Sequence, residues 1–127
     1  MPLIAFDHVN LRTRQLQTMI DWYGRVLGLL PGPRPPFGFG GAWLYLGEQP
    51  YVHLVEKPEQ KPSVPDNTME HFAFRAKDMP AFLETLQEEG VAHSIDPLPG
   101  FPIVQVNFRD PDGNHIHVDF DKAEHTG

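Results

Sequence analysis

The sequence predicts an α+β fold of two tandem βαβββ modules, and three observations lead there. A short phrase is stated twice, as Phe6-Asp7-His8-Val9-Asn10-Leu11-Arg12 and Met69-Glu70-His71-Phe72-Ala73-Phe74-Arg75, with His8 and His71 63 residues apart. Each phrase opens the same order of patterns: one helix-period stretch, then three strand-like stretches. A polar, proline-bearing segment, residues 58–68, separates the halves. Module one is therefore placed at 1–57 and module two at 69–127, within a single domain.

Residues 5–12 alternate as a strand, with His8, Asn10 and Arg12 on one side and Val9 and Leu11 on the other. Leu16, Met19, Ile20, Tyr23 and Leu27 form an amphipathic helical stripe that Gly28 ends. Residues 29–36 carry Pro31, Pro33, Pro35 and Pro36, which cannot donate to a ladder, so they make an edge strand at best and then a loop. Residues 42–46 and 51–56 alternate again and complete the first module. In the second module residues 70–76 are a strand, Asp78 is an N-cap with Pro80 in the first turn, and Phe82, Leu83 and Leu86 stripe a helix closed by Gly90. Strands follow at 91–95, 103–109 and 115–120. Asp110-Pro111-Asp112-Gly113-Asn114 makes a turn between the last two, and 121–127 reads as a frayed tail.

Composition narrows the chemistry. The chain has no cysteine, so thiolate metal sites, disulfides and cysteine nucleophiles are excluded. Ten basic against seventeen acidic residues give a net charge of −7, which disfavours a general nucleic-acid binder. No apolar run is long enough for a membrane span, and the N-terminal residues do not read as a secretion signal, so a cytoplasmic protein is expected. Seven histidines are the one oddity, and their faces decide whether they matter.

The apolar sides of the strands should pack under the helices. The other sides hold His8, Asn10, Arg12, Trp43, Tyr45, His53, His71, Arg75, Gln105, Asn107 and His117. Imidazoles, amides, arginines and large aromatics on one face suit a concave pocket better than a face open to bulk water. The closing strand of each half carries a histidine too, His53 and His117. His93, His115 and His125 are read as surface or loop residues.

The duplicated βαβββ order, the strand-borne His8, the Val52-His53-Leu54 strand, His71 at the head of module two and the closing Asp-Pro-Asp-Gly-Asn-His-Ile-His resemble the vicinal oxygen chelate superfamily. That superfamily comprises glyoxalases, bleomycin and fosfomycin resistance proteins and extradiol dioxygenases. The resemblance covers nearly the whole chain and implies a curved mixed sheet around a central cavity. It implies metal ligands at His8, His53, His71 and His117, holding a divalent ion (Zn, Ni, Fe or Mn) that a small substrate chelates through adjacent oxygens. Metal-dependent members commonly carry glutamate where His53 and His117 stand, so this chain departs from the pattern by offering imidazoles, and no residue is assigned as general base. Asp119 and Glu56 would supply an oxygen ligand only with a shifted register.

Asn10, Arg12, Phe37, Trp43, Tyr45, Arg75, Gln105 and Asn107 are the candidate substrate-binding residues. In glyoxalase relatives the residue matching Arg12 binds a substrate carboxylate; a surface ion pair is the plainer role. Two functions are expected from different classes: a metal-dependent lyase, isomerase or dioxygenase, and a non-catalytic protein that sequesters a ligand or confers drug resistance. A homodimer is implied by the resemblance, with no nucleic-acid or membrane partner.

Overall fold

Each alternating stretch finds its partners within its own half of the chain, which produces two four-stranded mixed sheets and an α+β architecture. The computed structural model describes residues 1–125. The chain divides into two units, Met1–Pro62 and Ser63–Gly127. Ser63, inside the expected linker, already donates its N–H to the Asp112 carbonyl at 2.8 Å, so the second part of that segment is tied to the second unit.

The first unit comprises β1 (Val9–Thr13), α1 (Leu16–Trp22), a π-helical turn (Tyr23–Leu27), β2 (Leu30–Pro31), β3 (Gly41–Leu46) and β4 (Gln49–Glu56). Its sheet runs β1-β4-β3-β2. The second comprises β5 (Phe72–Arg75), α2 (Met79–Glu88), β6 (His93–Pro97), β7 (Ile103–Arg109) and β8 (His115–Asp121), ordered β5-β8-β7-β6. Both units are therefore βαβββ. In both, the first strand lies parallel to the last, Val9 opposite Val52 and Phe72 opposite Ile116. That parallel pairing carries the head of the module beside its final strand. The outer edge strands, β2 and β6, both end in proline, at Pro31 and Pro97.

Core and site faces separate as period-two alternation requires. Val9, Leu44, Val52 and Leu54 are buried with Met19, Tyr23 and Val26, where α1 packs on β3 and β4. Val104, Val106, Phe108, Ile116, Val118 and Phe120 are buried in the second unit, where Phe82 of α2 lies 5.7 Å from the rings of both Phe108 and Phe120. Leu46, which alternation places on the apolar side with Leu44, is exposed, because the β3–β4 register shifts between Leu44 and Leu46. Among the described residues no helix is long and apolar enough to cross a membrane.

Several boundaries differ from the sequence reading. The strand expected over 5–12 begins at Val9 and that over 70–76 begins at Phe72, because the residues before them have no ladder partner. His8 and His71 thus sit just ahead of their strands. The strand expected over 91–95 lies at His93–Pro97, paired with Val104 to Phe108 of β7. The first helix is α-helical only to Trp22 and then widens into the π turn, which keeps Tyr23 and Val26 buried while Gly28, at φ 70°, ends it in the left-handed conformation. The tail is not frayed over its first residues. Lys122–Glu124 form a 3₁₀ turn, and the Glu124 carboxylate accepts the Met79 N–H at 2.9 Å, capping α2 beside Asp78. Thr126 and Gly127, the rest of that tail, lie outside the described residues. In the 110–114 turn, the buried Asp110 carboxylate accepts the N–H groups of Asp112 and Asn114 and the Asn114 amide.

Candidate metal centre

In the first unit, register places His53 of β4 level with Asn10 on one side and Trp43 on the other. The indole stacks on the imidazole at 4.1 Å between centroids, and the His8 ring stacks on it at 3.7 Å. A cavity of about 480 Å³ is bordered by His8, His53, Phe37, Trp43, Asp7, Gln49 and Pro50.

The protonation pattern of this pair follows from its partners. The Asp7 carboxylate can only accept, so at 2.6 Å it takes a hydrogen bond from Nδ1–H of His8 and leaves Nε2 with its lone pair. That bond holds the Asp7 carboxyl below the usual carboxylate range. His53 bonds to the backbone of Pro50, which offers only a carbonyl, and its Nε2 is buried without a partner. Nδ1 is therefore the donor, and Nε2 is the orphan. Burial pushes His53 below the ordinary imidazole value, with the neighbouring His8 adding to the effect. Both influences favour the neutral ring that a metal ligand must be.

In the second unit, His117 of β8 lies level with Ala73 and Asn107. Its ring is buried, and Nδ1 donates to Asp119 at 2.6 Å. His71 stands 4.5 Å from it between centroids and donates Nδ1–H to Glu70 at 2.7 Å. The other Glu70 oxygen accepts from Nδ1 of His115 at 2.6 Å. These bonds, His71 first and His115 second, pull the Glu70 carboxyl down to about 2.

Ligand atoms of Glu70, His71 and His115 lie within 4.8 Å of one another. The members of this group are already hydrogen-bonded to one another. The Asn107 amide nitrogen donates to Asp96 at 2.9 Å, which turns its oxygen toward Nε2 of His115 at 2.7 Å. His115 thus faces a carboxylate at one ring nitrogen and an amide oxygen at the other, both within hydrogen-bond distance. The trio is a hydrogen-bonded clamp on His71. His115 was expected on the surface or in a loop; it is half-buried on β8, on the face of His117 and Asp119.

The four candidate ligands fall into two pairs, one in each unit. Of the candidate substrate residues, Asn10, Phe37 and Trp43 gather about His53, and Asn107 joins the polar network. Tyr45 is engaged elsewhere: its hydroxyl donates to the Pro33 carbonyl and its ring lies against Gly32. Arg12 borders a separate cavity of about 360 Å³ together with Lys57, Pro58, Glu59 and Gln60. Arg75 and Gln105 lie level with Asp119 across the second sheet. Glu56 is exposed at the end of β4, level with Thr13. The sequence reading passed over Asp7, Glu70 and His115. The signal was there: an acid immediately precedes the histidine in both statements of the phrase.

Two βαβββ modules, each presenting two imidazoles from the parallel meeting of its first and last strands, define a glyoxalase-type fold. The chain belongs to the Glyoxalase/Bleomycin resistance protein/Dioxygenase superfamily, whose profile matches residues 5–118. It is 30% identical over 124 residues to Glyoxylase I 4 of Arabidopsis thaliana, covering 91% of this chain and 70% of that protein. It shares its fold with the glyoxylase/bleomycin resistance protein/dioxygenase domain from Frankia sp. EAN1pec (TM-score 0.80, 21% identity, 94% of this chain and 98% of that one). The fosfomycin resistance protein FosX of Listeria monocytogenes has the same fold at 13% identity (TM-score 0.71, 93% of each chain).

Proposed function

We propose that this protein is a glyoxalase-like, metal-dependent enzyme of lyase, isomerase or dioxygenase type, acting on a small substrate with adjacent oxygens. Its candidate ligands are the Nε2 atoms of His8 and His53 in one module and those of His71 and His117 in the other, each pair considered within its own module. The observation that carries the reading is that all four imidazoles have Nδ1 committed, to Asp7, the Pro50 carbonyl, Glu70 and Asp119, and that the Nε2 of His53 is buried with nothing to bond. A buried, unpaired ring nitrogen costs free energy unless something coordinates it. An all-imidazole donor set suits Zn, Ni or Fe, with Mn less favoured. When bound, such an ion supplies Lewis acidity toward a substrate carbonyl.

The residues around the ligands divide the remaining work. Phe37 and Trp43 wall the substrate's apolar part, and Asn10, level with His53, offers it an amide. Away from the ligands, Arg12 and Lys57 share their separate cavity with Glu59 and would take an anionic group there. Arg75 and Gln105 flank Asp119, and Asn107 holds the network behind His71.

Metal analysis of the purified protein, with His53→Ala and His117→Ala, tests the reading. Bound divalent metal that falls in each variant relative to the wild type is expected. A metal-free protein whose ligand binding ignores both substitutions would overturn it. A second reading, a ligand-sequestering or resistance protein of the same fold, is favoured by the stacked aromatic wall beside His53. We also propose a homodimer; a monomeric mass by light scattering at micromolar concentration would refute that.

A further inference from the structure

We propose that Asp7 and Glu70 are positioning residues, each holding the histidine that follows it in the Nδ1–H tautomer so that Nε2 is the atom offered to a divalent metal. This rests on the metal-centred reading above and adds a reason for the repeated acid–histidine pair. His53 and His117 sit within strands, paired on both sides, so their backbones are fixed by the ladder. His8 and His71 precede β1 and β5 and have no ladder partner. Their rings need another restraint, and the preceding carboxylate provides it at 2.6 Å in one module and 2.7 Å in the other. A carboxylate accepts only, so the bond selects the tautomer as well as the ring direction.

The two clamps are supported differently. Glu70 is gripped from its far side by His115, which Asn107 and then Asp96 hold in turn across β8, β7 and β6. Asp7 is steadied by Gln49, whose amide donates to its backbone carbonyl at 2.9 Å and also acts on its carboxylate.

The test reads tautomer and metal separately. Long-range ¹H–¹⁵N correlation spectra of the metal-free protein at alkaline pH should show His8 and His71 with protonated Nδ1. In Asp7→Ala and Glu70→Ala, respectively, each should move toward the Nε2–H form, while His117, held by Asp119, stays unchanged. Zinc titrated against a competing chelator should bind about 10- to 100-fold more weakly to each alanine variant. Asp7→Glu and Glu70→Asp, which keep the carboxylate, should recover most of that loss. Nε2–H tautomers in the wild type, or zinc affinity unchanged in both alanine variants, would overturn the proposal. A wild-type protein that binds no zinc would instead sink the metal-centred reading, an outcome the tautomer spectra distinguish.

Discussion

His53 shows how much one side chain's surroundings decide. Its ring is enclosed by His8 and Trp43, its Nδ1 is spent on Pro50, and its lone pair points into a site with no protein partner. Because burial lowers its folded value beneath the 6.5 of a free imidazole, the unfolded chain binds more protons than the fold once pH drops below 6.5. This contribution leaves stability untouched above that pH and erodes it as pH falls toward the folded value. Thermal melts of metal-free protein should therefore lose less between pH 7 and 5 in His53→Gln than in the wild type; equal losses would show that His53 is not the group responsible. At this scale the sequence was legible for the residues with a face to share, since His53, His117, Trp43 and Asn107 all fall where alternation puts them. It was not legible for Asp7 and Glu70, whose role depends on ring orientation, or for His115, whose partner Glu70 is 45 residues away.

Among the elements, the strands buried on one side were the easiest to read, because Val104, Val106 and Phe108 or Ile116, Val118 and Phe120 leave one possible register. Strand starts were harder, since a strand begins where its partner does, and nothing within residues 5–8 reports that Val9 pairs with Val52. The π turn was hidden for a related reason. The apolar stripe from Leu16 to Leu27 is the same whether the last turn is α or π, and only the packing of Tyr23 and Val26 selects between them. Gly28 ends this helix at φ 70° with open space where a Cβ would stand. Gly28→Ala should thus cost about 1 kcal/mol through backbone strain alone, while Gly28→Asn should cost less, as chemical denaturation can measure. An equal loss for both would point to packing instead.

On the scale of the whole molecule, duplication has kept the frame and let the linings diverge. The first unit surrounds its histidines with stacked rings, and the second surrounds its own with a polar network. Near the end of the first unit the chain is exposed around Glu59, outside any strand. A glutamyl endopeptidase should cut the native protein first after Glu59, giving two fragments near half length, whereas trypsin should spare this segment because Lys57 and Lys61 each precede proline. First cuts within the strands or helices of either unit would contradict that division. The prolines that end β2 and β6 carry one more consequence. Lacking an N–H, Pro31 and Pro97 blunt the outer margin of each sheet against recruitment of a foreign strand. The opposite margins, β1 and β5, have no such guard. Within each sheet, strand addition is thereby disfavoured at β2 and β6 relative to β1 and β5, so mutations that lengthen or flatten the latter two strands would raise a unit's tendency to aggregate most.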